Sequence, residues 1–168
     1  MAQVTLKGNP IETSGELPNL QSKAPEFTLV DKDLKDRHLS DFKGKRKLLS
    51  IVPSLDTPTC SLSAKKFNDA AKQHPEVVIL VISADSPFAQ KRFCGAEGVN
   101  NIITLSMMRS KDFAKDYGIL IITGPLAGIC ARAVLVLDEN DKVLYTELVP
   151  EIAQEPNYEK ALAILFGK

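Results

Sequence analysis

At 168 residues the chain has the size of one domain with a substantial core. Its 44% hydrophobic and 25% charged residues exclude a disordered protein. Twenty-one basic residues balance twenty-one acidic ones, which argues against nucleic acid or a membrane surface as the main partner. The first residues, Met1 to Gly8, lack the apolar stretch of a signal peptide, and no segment has the length to span a bilayer. The expected location is the cytoplasm.

In chain order, Val4 to Thr13 reads as a small hairpin turning at Gly8-Asn9-Pro10. A polar connection containing Pro18 and Pro25 leads to a predicted strand at Phe27 to Val30. Asp41 to Lys47 reads as a polar loop, and Leu48 to Val52 as a buried strand. From Cys60 onward, Ala64, Phe67, Ala70 and Ala71 recur at helical spacing until His74-Pro75, where the residue before proline avoids the helical region. Val77 to Ile82 is a continuous apolar run, as expected of a central strand covered on both faces.

Asp85-Ser86-Pro87 opens a second helix, with serine as N-cap and proline at its first position. That helix runs through Phe88, Ala89, Phe93 and Cys94, and Gly95 and Gly98 mark its end. A short strand at Ile102 to Leu105 precedes a short helix from Lys111 to Tyr117, stopped by Gly118. Ala133 to Leu137 and Val143 to Thr146 flank Asp138-Glu139-Asn140-Asp141 as a strand pair, and Tyr158 to Phe166 closes the chain as an amphipathic helix. The alternation of strands and helices, followed by a hairpin, defines one α/β domain over residues 1–168, with a mixed sheet covered by helices. Residues 1–17 form an N-terminal hairpin extension.

Three cysteines, Cys60, Cys94 and Cys130, are an odd and widely spaced set, unlike a secreted disulfide framework. None makes a C-x-x-C pair, and His38 and His74 have no matching ligands near them in sequence, so structural zinc is not expected.

Cys60 stands where a strand gives way to a helix, within Pro53-Ser54-Leu55-Asp56-Thr57-Pro58-Thr59-Cys60. A thiol there faces unpaired backbone N–H groups and the positive end of the helix dipole, which favour thiolate, the reactive form. A buried cysteine acting as a small hydrophobe is the alternative. The hydroxyls of Thr57, Thr59, Ser61 and Ser63 are unusual company for an inert core thiol. Thr57, three positions ahead, can reach towards the sulfur across one turn, and Pro53 and Pro58 stiffen the approach.

Pro53-x-x-x-Thr57-x-x-Cys60 resembles the P-x-x-x-T-x-x-C signature of the peroxiredoxins, a family with a thioredoxin-like fold. The resemblance extends to the bacterial thiol peroxidase subfamily and covers nearly the whole chain. Ser83 to Gln90, Arg92-Phe93-Cys94-Gly95-Ala96-Glu97-Gly98, Gly124-Pro125-Leu126 and Ala131 to Val134 carry it further. It implies that Cys60 attacks a hydroperoxide and becomes a sulfenic acid. It implies that Thr57 binds sulfur and peroxide, that Arg132 supplies a fixed positive charge, and that Pro53 shapes the pocket. Without the resemblance, Arg132 reads as a strand-edge arginine paired with a surface carboxylate. Cys94, which by spacing could be core, becomes the resolving cysteine, forming an intrasubunit disulfide with Cys60.

A disulfide needs the two Cα atoms within about 7 Å, so oxidation is expected to unwind the first turn after Cys60, the segment around Cys94, or both. The same resemblance implies hydrogen peroxide or organic hydroperoxides as substrates, thioredoxin as reductant and a homodimer. No metal, haem, flavin or nicotinamide is implied. Leu55, Phe88 and Ile119 to Ile122 suggest an apolar substrate, but they could equally form core or a subunit interface. Cys130 belongs to neither motif and reads as a buried small hydrophobe. A redox sensor or binding protein on the same fold is the rival reading. A general thiol–disulfide exchanger fits less well, because C-x-x-C is absent.

Overall fold

Period-two alternation along the central strands divides their side chains between two cores, one on each face of a sheet. The computed structural model describes residues 1–167. Its N-terminal hairpin joins β1 (Gln3–Leu6) to β2 (Asn9–Glu12). The main sheet contains β3 (Thr28–Asp31), β4 (Asp36–His38), β5 (Lys47–Ile51), β6 (Val78–Ser83), β7 (Ile103–Ser106), β8 (Ala133–Leu137) and β9 (Val143–Leu148). Four helices accompany it: α1 (Pro58–Gln73), α2 (Pro87–Glu97), α3 (Asp112–Asp116) and α4 (Tyr158–Leu165). The strand order is β4-β3-β7-β6-β5-β8-β9, with β5, β6 and β7 mutually parallel and the remaining pairs antiparallel. This is the expected mixed, helix-flanked α/β sheet of thioredoxin-like type.

Leu48 of β5, Ile79 and Val81 of β6, and Val134 and Val136 of β8 point to one face. There they meet Phe67 and Ala71 of α1 and Ala161 and Leu165 of α4. Leu49, Ile51, Leu80, Ile82, Leu135 and Leu137 point the other way, against Phe27 and against Phe113 of α3. β5, β6 and β8 are thus buried on both sides, which is why they read as unbroken apolar runs. The strand β5 and helix α1 meet at the edge of the first core, and the chain between them carries Pro53 to Thr57.

Several expectations shift. The hairpin turns at Lys7-Gly8, not at Gly8-Asn9-Pro10, because a tight two-residue turn needs positive φ at both positions, here 51° and 82°. Gly95 lies inside α2, and only Gly98, left-handed at φ 67°, ends it. β4 and the 3-10 turn Leu39–Phe42 escape the sequence pattern, since Asp36-Arg37-His38 is an edge strand whose charges face outward.

Lys47, read as loop, opens β5 and is fully buried. Its ammonium lies 2.6 Å from Asp141 Oδ1 and donates to the carbonyls of Phe42 (3.2 Å) and Lys45 (2.9 Å). Burial of such a charge is tolerated only with its partners in place, and losing one partner of a buried pair costs roughly 3–5 kcal/mol.

The segment Gly118 to Ile122 lies against the N-terminal hairpin, with Ile119 and Ile121 fully buried. Of the readings left open for it, core is the one observed for these two residues. Gly118 is required there: its φ is 71°, and a Cβ would stand 2.2 Å from the Glu16 carbonyl oxygen. No helix among the described residues is long and apolar enough to cross a membrane.

Candidate active site

At the end of β5, the Val52 N–H still donates to Ile82 O at 2.9 Å, and Pro53 then takes the chain out of the sheet. The backbone reaches Thr57 in an extended conformation (φ −101°, ψ 148°), which makes Thr57 the N-cap of α1, and Pro58 starts the helix. The helix therefore begins two residues before the expected start, and Cys60 is its third residue. Cys60 is fully buried beside Leu48, Val52, Leu55, Ala64 and Phe67. The local cause is the proline pair. Pro53 cannot continue the ladder, and Pro58 is preset for the first helical position.

The Thr57 hydroxyl, expected to reach towards the sulfur, donates instead to Ser54 O at 2.9 Å. It makes no capping bond to the first helical turn. The turn holding Cys60 thus keeps N–H groups that no side-chain cap occupies, close to the sulfur.

Arg132 is not a surface residue paired with a carboxylate. It is 2% exposed, its Nε donates to Ile152 O at 2.9 Å, and its Nη1 is buried with no hydrogen-bond partner among the described residues. An unpaired guanidinium nitrogen in a protein interior is costly, and a structure that keeps one has a use for it or an occupant. Arg132 lines a cavity of about 310 Å³ together with Pro53, Thr57, Pro58 and Thr59, against the turn that carries Cys60. The structure thus brings Pro53, Thr57 and Arg132 to one cavity beside Cys60. Its apolar wall is formed by Leu6, Leu126, Ile129 and Ile152. Those are not the apolar residues expected from the sequence. Leu55 lines a different cavity, Phe88 is 68% exposed, and Ile119 and Ile121 are core.

Cys94 lies elsewhere. Ala89, Arg92, Phe93 and Ala96 recur on the α2 flank that faces Leu55, Thr57 and Ser61 across a cleft of about 380 Å³. Cys94 falls off that flank and lines a separate cavity of about 200 Å³ with Lys32 and Thr104. All three cysteines are free. Burial pushes the Cys94 thiol above its ordinary pKa, and the Thr104 hydroxyl and Lys32 ammonium pull it part of the way back. Cys130 is fully buried with Sγ 3.2 Å from Met107 Sδ, and burial pushes its pKa up to about 12. That matches the reading of a buried, uncharged side chain.

Two contributors were not singled out from sequence. Tyr158, held by Ser63 and Glu155 at 2.8 Å each, is close enough for the Arg132 charge to act on its hydroxyl. Asp85 accepts hydrogen bonds from Ser54 and Leu55 of the loop before α1. The Ser83-Ala84-Asp85-Ser86-Pro87 run marks the start of α2, but a carboxylate serving a loop thirty residues earlier leaves no periodic trace.

A thiol at the third position of a helix, a proline-bounded loop and a buried, half-paired arginine on a sheet of this order define a thiol-dependent redox protein of thioredoxin-like architecture. The chain belongs to the redoxin family, which matches residues 19–162, and within it to the peroxiredoxins of the thiol peroxidase group; it is a peroxidase. The N-terminal hairpin lies outside the matched stretch. The chain is 53% identical over 165 residues to thiol peroxidases of Mycobacterium tuberculosis and Mycobacterium bovis, covering 98% of this chain and 99% of each relative. Among solved structures, a peroxiredoxin-like protein from Aquifex aeolicus superposes with a TM-score of 0.93 at 41% identity, covering 99% of this chain and 97% of that one. A thiol peroxidase from Chromobacterium violaceum superposes at 0.91 and 27% identity, with the same coverage.

Proposed function

We propose that Cys60 is the peroxide-reactive thiol and that the chain reduces hydrogen peroxide and organic hydroperoxides. The observation that carries the reading is the unpartnered Nη1 of Arg132 at the cavity beside the Cys60 turn. In the reaction the Cys60 thiolate attacks the distal peroxide oxygen. The O–O bond breaks, the S–O bond forms, and the departing hydroxide or alkoxide takes a proton to leave as water or alcohol. Charge grows on the departing oxygen, and a fixed guanidinium aimed there stabilises it more than it stabilises the neutral peroxide. Arginine suits that place because it stays protonated in a dry site. Thr57 holds the loop through Ser54 and keeps oxygen lone pairs free to accept the peroxide proton. Pro53 walls the cavity. The apolar wall of Leu126, Ile129 and Ile152 suits an alkyl hydroperoxide.

Cys94 then condenses with the Cys60 sulfenic acid: the S–S bond forms and water leaves. Because Cys94 lies off the flank that faces α1, the two thiols meet only after α1's first turn or α2 unwinds locally. Unwinding also frees Cys94 from the burial that keeps it protonated. A dithiol reductant of thioredoxin type restores both thiols, each electron pair passing from the dithiol to the disulfide.

Counting free thiols tests this cycle. One equivalent of hydroperoxide added to the reduced protein is expected to remove the thiols of Cys60 and Cys94 together and leave Cys130. Loss of Cys130 instead, or of Cys60 alone with Cys94 still free, would contradict the pairing.

A further inference from the structure

We propose that Asp85 is a positioning residue, a latch that holds the Cys60 loop against the head of α2 and so sets how the sulfenic acid is used. The inference rests on the reaction proposed above. Asp85 lies between β6 and the N-cap Ser86 of α2. Its Oδ1 accepts from the Ser54 hydroxyl at 2.7 Å, and its Oδ2 accepts from the Leu55 backbone N–H and the Ser83 hydroxyl, each at 2.7 Å. The residue is itself fixed to the sheet. Its N–H donates to Ser83 Oγ at 3.3 Å, and its carbonyl accepts from the Ser106 hydroxyl at 2.6 Å.

Two of the three donors to this carboxylate therefore belong to the loop that delivers Cys60, and the third belongs to β6. The loop's other tethers are few: Thr57 folds back on Ser54, and the Thr59 hydroxyl donates to Ala153 O at 3.0 Å. Hydrogen bonds to a charged acceptor are the stronger kind, so Asp85 is the main anchor of Ser54 and Leu55. The same residue precedes the helix that carries Cys94. One carboxylate thus ties the loop before α1 to the residue that precedes the head of α2, the two helices of which one or both rearrange for the disulfide to form.

The latch then biases two competing fates of the Cys60 sulfenic acid. With the loop held, Cys60 stays in the first turn of α1, behind the residues that line the cavity. A second hydroperoxide can then oxidise it to the sulfinic acid, transferring one oxygen and leaving as alcohol. With the loop released, the first turn opens and Cys94 captures the sulfur. Asp85→Asn keeps the shape but replaces one acceptor oxygen with a donor NH2. If the NH2 takes the Oδ1 place, the Ser54 hydroxyl turns to accept from it, and if it takes the Oδ2 place, the Leu55 N–H loses its partner; in both, the charge that strengthens the three bonds is gone.

The test is the ratio of disulfide to sulfinic product at a fixed excess of cumene hydroperoxide, read by intact mass. Asp85→Asn is expected to raise the ratio about tenfold, the order expected when one hydrogen bond to a charged group is lost. Ser54→Ala, which removes one donor to Asp85 and the acceptor of the Asp56 N–H but leaves the Leu55 bond, should move it the same way by less. It also serves if Asp85→Asn fails to fold. A merely structural role would lower the melting temperature and slow both fates without changing their ratio. An unchanged ratio in both variants, with the wild type consuming peroxide, overturns the latch. If the wild type does not consume peroxide, the proposed reaction fails instead. The latch is then judged by hydrogen exchange at the Leu55 amide, which speeds up in Asp85→Ala if the latch exists and stays unchanged if it does not.

Discussion

Cys60→Ser is expected to consume hydroperoxide no faster than buffer, even though it retains two cysteines. Neither can take over. Cys130 has its pKa pushed up to about 12 by burial, which keeps it a thiol at neutral pH, and no part of it is exposed. Cys94 is also held towards the thiol form by burial, away from the arginine cavity. Serine is close to cysteine in size and shape at this buried position, so the fold should persist and the loss should be chemical. Stopped-flow consumption of cumene hydroperoxide, beside a thermal melt of the same sample, checks both halves. Residual turnover above buffer would move the reactive thiol to another cysteine.

Arg132→Met should lower the second-order rate with hydroperoxide by about 10² to 10³, the usual effect of removing one donor aimed at developing charge. Its effect on stability should be small, and this distinguishes a catalytic arginine from a structural one. The substitution removes the Nε bond to Ile152 O, but it also removes a buried nitrogen with no partner. Replacing an incompletely paired buried charge by an apolar side chain of similar length is often neutral or stabilising. Arg132→Lys keeps the charge but not the fork, and should recover only part of the rate. The same kinetic assay with a urea melt decides. A large fall in rate with the midpoint held supports the assignment, whereas a parallel fall in both would make Arg132 a structural anchor of the Ile152 segment.

The sheet and the site were legible to different depths, for physical reasons. β5, β6 and β8 are buried on both faces, so apolar runs announce them, and Ser86-Pro87 announces α2 through chemistry confined to one helix turn. The Pro53 to Cys60 loop is equally local. Its prolines and hydroxyls sit within eight residues and themselves single out Cys60 as a reactive thiol, and its likeness to a known signature implied the peroxide chemistry of Cys60 and Thr57. The roles of Arg132 and Cys94 came from that resemblance alone, because sequence by itself preferred a surface ion pair for Arg132 and left Cys94 open to a place in the core.

What stayed hidden depends on contacts across the chain. The burial of Lys47 against Asp141 joins residues far apart in sequence, and a charged stretch before a strand reads as loop whatever it meets. The acceptor of the Thr57 hydroxyl, the apolar wall of the cavity and the hold of Asp85 on Ser54 are likewise set by packing. Glycines mislead for a related reason. Gly95 and Gly98 look alike in sequence, but only the second adopts the left-handed conformation that ends the helix.

The most direct test of the central claim, that Cys60 is oxidised by peroxide and resolved by Cys94, is the intact mass of Cys94→Ser after one equivalent of cumene hydroperoxide. The account predicts a single added oxygen, located on Cys60, captured by a sulfenic-acid reagent, with no disulfide formed. An unmodified Cys60, or the oxygen found on Cys130, would contradict it and leave a slowly oxidised redox sensor as the better description of this chain.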